Sequence, residues 1–150
     1  MDILSTGTYP LNKLSNFAAH RFEVDGVLCA SMEGFLQSLP YKDQEEQRLV
    51  CRLTGWTAKK RSNRDWQKTG MLYWKGKALR RDGVDYQILL DRAYEALAKV
   101  EDFRKALLAT GDENLTHDIG HTVYTETILT TKEFCSRLMS IRDRIRAGNL

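Results

Sequence analysis

The chain has 150 residues, 42% of them apolar and 29% charged, with a formal net charge of +3 from 23 basic and 20 acidic side chains. That is enough length and apolar content for one domain with a real core, and it excludes a disordered segment or a membrane-embedded chain. No apolar run approaches the ~20 residues of a bilayer span, residues 1–10 lack the basic-then-apolar pattern of a secretory signal, and the small positive excess is not that of a dedicated nucleic-acid binder.

The first clear element is a hairpin. Residues 21–24 and 27–30 flank Asp25-Gly26, and a two-residue type I′ turn needs positive φ at both central positions, which that pair tolerates. Ser31 then reads as the N-cap of a short helix over 32–39, stopped by Pro40. Asp43 caps a second helix through Gln47, Leu49, Val50 and Leu53, closed at Gly55. Within 57–81, Ser62 or Asn63 starts a helix carrying Trp66, Met71, Leu72 and Trp74, interrupted by Gly70 and Gly76.

From Tyr86 the pattern is regular: Ile88, Leu89, Ala93, Leu97 and Val100 recur at helical spacing. The next helix holds Phe103, Ala106 and Leu107 and ends at Gly111. Residues 115–124 read as loop, with a short strand over 122–128. Thr130-Thr131-Lys132-Glu133 forms a capping box, in which hydroxyl and carboxylate each satisfy an orphan amide. The last helix puts Phe134, Leu138, Ile141 and Ile145 on one face, leaves Arg137, Arg142, Arg144 and Arg146 solvated or ion-paired, and ends at Gly148. The sum is an α+β fold, predominantly helical with a small antiparallel sheet or hairpin, in a single domain over 1–150.

Cys29, Cys51 and Cys135 are odd in number and form no C-x-x-C pair, the usage of reduced, buried thiols in a cytoplasmic protein. His117 and His121 are split by Gly120 and lack a third ligand nearby, so they read as loop histidines bonding backbone, with no metal. No nucleophile elbow or strand–Gly-rich loop–helix unit occurs. The clusters Lys59, Lys60, Arg61, Arg64 and Lys75, Lys77, Arg80, Arg81 read mostly as solvated surface. Glu33 stands out. In the first helical turn it gains under about 1 kcal/mol from the helix dipole. With apolar Phe35 and Leu36 beside it, the carboxylate can also be desolvated for acid–base work or for stabilising positive charge on a ribose.

Leu14-Ser15-Asn16-Phe17, the hairpin from Phe22 to Gly26, and Ser31-Met32-Glu33-Gly34-Phe35-Leu36-Gln37 are followed by Asp65-Trp66, Met71 six residues before Lys77, Leu107-Leu108-Ala109-Thr110-Gly111 and Leu138-Met139-Ser140-Ile141-Arg142. In this order the chain resembles the YbiA/NADAR family, over nearly its whole length. The resemblance implies cleavage of an N-glycosidic bond in ADP-ribose conjugates or riboflavin-pathway intermediates, without a cofactor. It places Ser15, Asn16 and Phe17 in the pocket, Glu33 as the central catalytic carboxylate, and Gln37 one turn on as its support. Trp66 or Trp74 would offer a flat surface to a base, and Lys59, Lys77 or an arginine would hold phosphate.

Three departures from the family pattern bear on chemistry. Gly34 replaces the usual histidine, and Pro40 stands where many members carry a lysine that can attack the anomeric carbon. Lys42, two residues on, is the candidate substitute, because a lysine stem is long and flexible. His117 stands where a glutamate is common; Asp118 is then the candidate second acid, and Tyr124 lies near the place of a family tryptophan.

The expected partner is an ADP-ribose-type or ribosyl-phosphate ligand, including ADP-ribosylated nucleic acid, and not a membrane. One alternative is a binding protein that sequesters such nucleotides without hydrolysis. The other is a nucleic-acid module built on the two basic clusters and the interleaved Trp66 and Trp74.

Overall fold

The computed structural model describes residues 1–150. Helices dominate: α1 (Leu11–Leu14), α2 (Met32–Ser38), α3 (Gln44–Cys51), α4 (Gly55–Lys59), α5 (Trp66–Thr69), α6 (Val84–Leu97), α7 (Glu101–Ala109) and α8 (Thr131–Arg146). Two antiparallel hairpins complete the α+β fold, β1 (Phe22–Val24) with β2 (Val27–Cys29) and β3 (Met71–Trp74) with β4 (Lys77–Arg80).

The central element is α6, whose Tyr86, Leu89, Leu90, Ala93, Tyr94 and Leu97 are buried while it packs against β1, β4 and α8. Ile88, which the spacing assigns to the apolar stripe, points outward at 46% exposure. The first hairpin forms as expected, with φ of 51° at Asp25 and 82° at Gly26 and Phe22 opposite Cys29. The capping box of α8 is also complete, Thr130 Oγ1 accepting from the Glu133 amide and Glu133 accepting from the Thr130 amide at 2.8 Å.

Three expectations are corrected. No continuous helix carries Trp66 to Trp74. Gly70, at φ 70°, ends α5, and the chain turns into a second hairpin through Lys75 (φ 52°) and Gly76 (φ 85°). Leu72 and Trp74 then face the core at the period of a strand, not of a helix. Secondly, residues 122–128 form no strand. The Glu126 amide closes a turn onto the Val123 carbonyl, and three carbonyls are taken by side chains: those of Glu126, Thr127 and Ile128 accept from Gln67 Nε2 (3.0 Å), Arg81 Nε (3.0 Å) and the Tyr86 hydroxyl (2.6 Å). Thirdly, Arg142 is buried, donating through Nη1 to Thr110 Oγ1 (2.8 Å) and the Glu113 carbonyl (2.9 Å), whereas Arg137, Arg144 and Arg146 pair with Asp91, Glu95 and Asp112.

Every residue of α2 is buried, including Glu33, Gln37 and Ser38, so each polar group needs a partner. Ser31 caps the start, accepting from the Gly34 amide at 3.0 Å and donating to the Leu53 carbonyl at 2.8 Å. Gln47 of α3 satisfies the other end: its Nε2 donates to the carbonyls of Ser38 (3.1 Å) and Tyr73 (2.7 Å), tying α2 to the second hairpin. Burial of Met32, Phe35, Leu36 and Leu39 contributes roughly 1.5–3 kcal/mol each.

Gly34 sits where no side chain fits. A β-carbon there would lie 2.5 Å from the Leu53 carbonyl oxygen and 2.8 Å from that of Cys51, so the close passage of α2 over the end of α3 leaves no room for a side chain. Both obstacles are backbone and cannot swing aside. Gly34→Ala is expected to lower unfolding stability by about 1–3 kcal/mol, measurable as a fall in the urea midpoint.

Candidate functional site

Where the loop after α1, the start of α2, helix α4 and the segment 117–131 converge, they enclose a cleft of about 330 Å³. Glu33 lies on its wall at 7% exposure. Its amide donates to the Asn16 carbonyl at 2.9 Å, which fastens the Ser15-Asn16-Phe17 loop to the start of α2. The carboxylate is held from two sides. Gln37 Nε2 donates to Oε1 at 3.1 Å, and Lys59 Nζ stands 3.9 Å from the same oxygen. Gln37 is itself oriented by the Ser62 hydroxyl, which donates to its Oε1 at 3.0 Å. Oε2 of Glu33 makes no hydrogen bond within the chain. Burial pushes the Glu33 carboxyl above its ordinary value; the Gln37 bond and the charges of Lys59 and His117 counter this without cancelling it.

Asn16 is oriented from behind, its Oδ1 accepting from the Tyr94 hydroxyl at 2.9 Å. Burial keeps that phenol protonated, so it stays a donor, and the Asn16 amide nitrogen makes no bond within the chain. Also lining the cleft, the His117 ring is held by two contacts: Nδ1 lies 2.8 Å from the Ile3 carbonyl, and Phe134 meets the ring at right angles at 5.5 Å. Gly120 leaves free the space beside Cδ2 that a side chain would fill. At the rim, Trp56 is 68% exposed and meets Phe17 edge-to-face at 5.2 Å. Trp56 and Lys59 lie three apart on α4 and so share a face, putting an aromatic plane and a cation on one side of the cleft.

This arrangement can hold a polar ligand beside a partly dehydrated carboxylate. The family model for bacteriophage protein GP30.3 matches residues 8–143. The chain belongs to the bacteriophage protein GP30.3 family. A relative from Enterobacteria phage T4, described as an uncharacterized 17.1 kDa protein of the Gp30–rIII intergenic region, is 36% identical over 149 residues, covering 97% of this chain and 98% of its own. The NMR structure of the E. coli protein YbiA superposes with a TM-score of 0.65 at 19% identity, covering 99% of this chain and 85% of that one. The GP30.3 chain therefore has a YbiA/NADAR-like fold.

Within this GP30.3 fold, Ser15, Asn16, Phe17, Glu33, Gln37, Trp66 and His117 all line the one cleft. Five other expected site residues do not. Lys42 is exposed, on the turn between α2 and α3. Asp118 is exposed beside His117 and uses its amide to bind Asp2 Oδ1 at 2.8 Å. Trp74 is a core residue, packed on Phe35 at 5.1 Å with its Nε1 donating to Asp25 Oδ2. Lys77 is exposed and faces Asp85 at 3.7 Å. Tyr124 lies over the Arg81 guanidinium and lines a neighbouring hollow of about 410 Å³. Trp66 and Gln67 line both the hollow and the cleft.

The second basic cluster is largely consumed internally. Lys75 donates to the Asp25 carbonyl, Arg80 pairs with Asp82, and Arg81 is buried against Glu133. From the first cluster, Lys59 and Arg64 line the cleft. Trp56 was missing from the sequence-based set; the signal for it was the Trp56–Lys59 spacing.

Proposed function

We propose that the cleft binds an ADP-ribose-type or ribosyl-phosphate ligand and hydrolyses its ribose–nitrogen bond. The observation that carries this reading is Glu33: a carboxylate removed from water, with one oxygen held and the other open to the cleft. Breaking such a bond builds positive charge on the sugar, and a fixed carboxylate beside C1 stabilises that charge most where water is excluded. The volume also fits. About 330 Å³ is at the small end of ligand sites, enough for a ribosyl phosphate, and the adjoining hollow, which shares Trp66 with it, extends it toward a two-part nucleotide.

Glu33 then faces the anomeric carbon, Gln37 orients it, Asn16 and Lys59 take ribose hydroxyl or phosphate oxygens, and Trp56 offers its plane to a base. Of the candidate lysines Lys59, Lys42 and Lys77, only Lys59 lines the cleft, where it acts with Arg64 as a cation of the site. The buried free thiols of Cys29, Cys51 and Cys135 suit a reducing, cytoplasmic setting.

The test is incubation of the purified protein with guanosine carrying ADP-ribose on its amino nitrogen, alone and within an oligonucleotide, followed by chromatography. Release of the base-bearing product is expected, and its loss in Glu33→Gln. Lys59→Ala is expected to weaken ligand binding by ~10–100-fold, the value of a charge-assisted bond, while Lys42→Ala leaves it unchanged; equal effects from the two lysines would count against this site. A second reading, sequestration without hydrolysis, is favoured by Pro40 and by the outward placement of Lys42. Recovery of intact ligand after heat denaturation would select it.

A further inference from the structure

The clamp on His117 carries an inference that rests on the glycosidase reading and deepens it. The Ile3 carbonyl can only accept, so it fixes a proton on Nδ1. Nε2 makes no hydrogen bond within the chain, while the ring lines the cleft together with Glu33 and Lys59. The ring is held in this orientation by the Ile3 carbonyl on Nδ1 and by Phe134 packed at right angles to it. Ile3 is held in turn by its own amide, which donates to the Thr116 carbonyl at 2.8 Å. A histidine with a pinned tautomer, an unengaged Nε2 and a carboxylate lining the same cleft is arranged for proton transfer rather than for simple packing.

We propose that His117 is the proton donor to the departing base, acting through Nε2 in the cleft it shares with Glu33. As the C1′–N bond breaks, its electron pair goes to the leaving nitrogen, which takes the Nε2 proton of the doubly protonated ring and leaves a neutral imidazole with its remaining proton on Nδ1. Glu33 remains ionised beside the positive sugar. Water then adds to C1′ and its proton returns to Nε2, so the enzyme ends as it began. The charged neighbours of the transfer are Glu33 from α2, Lys59 and Arg64 along the α4 side, and His121 and Glu126 from the segment that carries the ring.

Two probes sharing the ADP-ribosyl group separate this role from that of Glu33. Guanosine ADP-ribosylated on its amino nitrogen needs a proton to leave; the nicotinamide of NAD⁺ leaves as a neutral base without one. His117→Gln is expected to slow release from the first by ~10²–10⁴-fold, the usual worth of general acid–base catalysis, and from the second by less than tenfold. Glu33→Gln is expected to slow both.

If His117→Gln slows both equally or neither, while Glu33→Gln slows both, the donor assignment falls and the glycosidase reading stands. If Glu33→Gln slows neither, or the wild-type protein cleaves neither probe, the glycosidase reading falls and takes this inference with it. Independently of turnover, ¹⁵N NMR of the neutral ring is expected to show the proton on Nδ1. Finding it on Nε2 would overturn the assignment.

Discussion

Replacing Glu33 by glutamine is expected to lower base release by ~10²–10³-fold, the cost of removing one preorganised electrostatic group from a transition state, without lowering the melting temperature. The two halves of this prediction share one cause. Glutamine keeps the shape of the side chain and can still accept from Gln37, but it carries no charge to oppose that on the sugar. Nor does it suffer the desolvation that raises the Glu33 carboxyl above its ordinary 4.5. In the wild-type protein the folded state holds the Glu33 proton more tightly than the unfolded state does. This carboxyl therefore makes stability fall as pH climbs from 4.5 toward its raised value. That slope is expected to vanish in Glu33→Gln, read from urea midpoints across pH. A destabilised variant would mean that Glu33 is a structural group; a functional one tolerates replacement in stability and not in rate.

Arg81→Met is expected to cost about 3–5 kcal/mol, the range for breaking one side of a buried ion pair, and to drop the melting temperature by roughly 6–20 °C for a domain of this size. Arg81 is 3% exposed at its side chain. It donates through Nη2 to Glu133 Oε1 at 2.6 Å, through Nη1 to Oε2 at 3.1 Å, and through Nε to the Thr127 carbonyl. Burial alone would push the Glu133 carboxyl up, but Arg81, the Thr130 amide and Gln87 outweigh it and hold it below 4.5. Glu133 thus contributes stability that is present above pH 4.5 and lost as pH falls through its depressed value.

Removing the arginine strands a buried carboxylate and frees the segment that forms one wall of the cleft. Ligand affinity is therefore expected to fall along with stability. Adding Glu133→Gln to Arg81→Met is expected to recover part of the stability, because it neutralises the stranded carboxylate. A double-mutant cycle showing no coupling would refute the pair's importance.

What the sequence made legible was local. Asp25-Gly26, the Ser31, Asp43 and Thr130 caps, and the apolar stripe of α8 each act within a few residues, so spacing alone locates them. The second hairpin was hidden because Lys75 adopts positive φ without being glycine or asparagine, and because Met71-Leu72-Tyr73-Trp74 has no polar alternation to mark a strand. The three tryptophans were indistinguishable by composition; only packing buries Trp74 and Trp66 in the core, with Trp66 also lining the cleft, and leaves Trp56 at the rim. Asn16 and Gln37 came from the family resemblance and Glu33 from its place in the first turn of α2 as well, and all three fall on the cleft. Lys42 and Asp118 fall outside it, since the direction of a turn depends on tertiary contacts that no local pattern encodes.

The segment over 119–128 has a further use. Its path is set by Gln67, Arg81 and Tyr86 gripping main-chain oxygens, a form of hold indifferent to which side chains the segment carries. Ile119, Val123 and Tyr124 project outward, and Ile119 reaches the cleft. Randomising these three positions would give a library in which ligand preference changes while the scaffold stays folded.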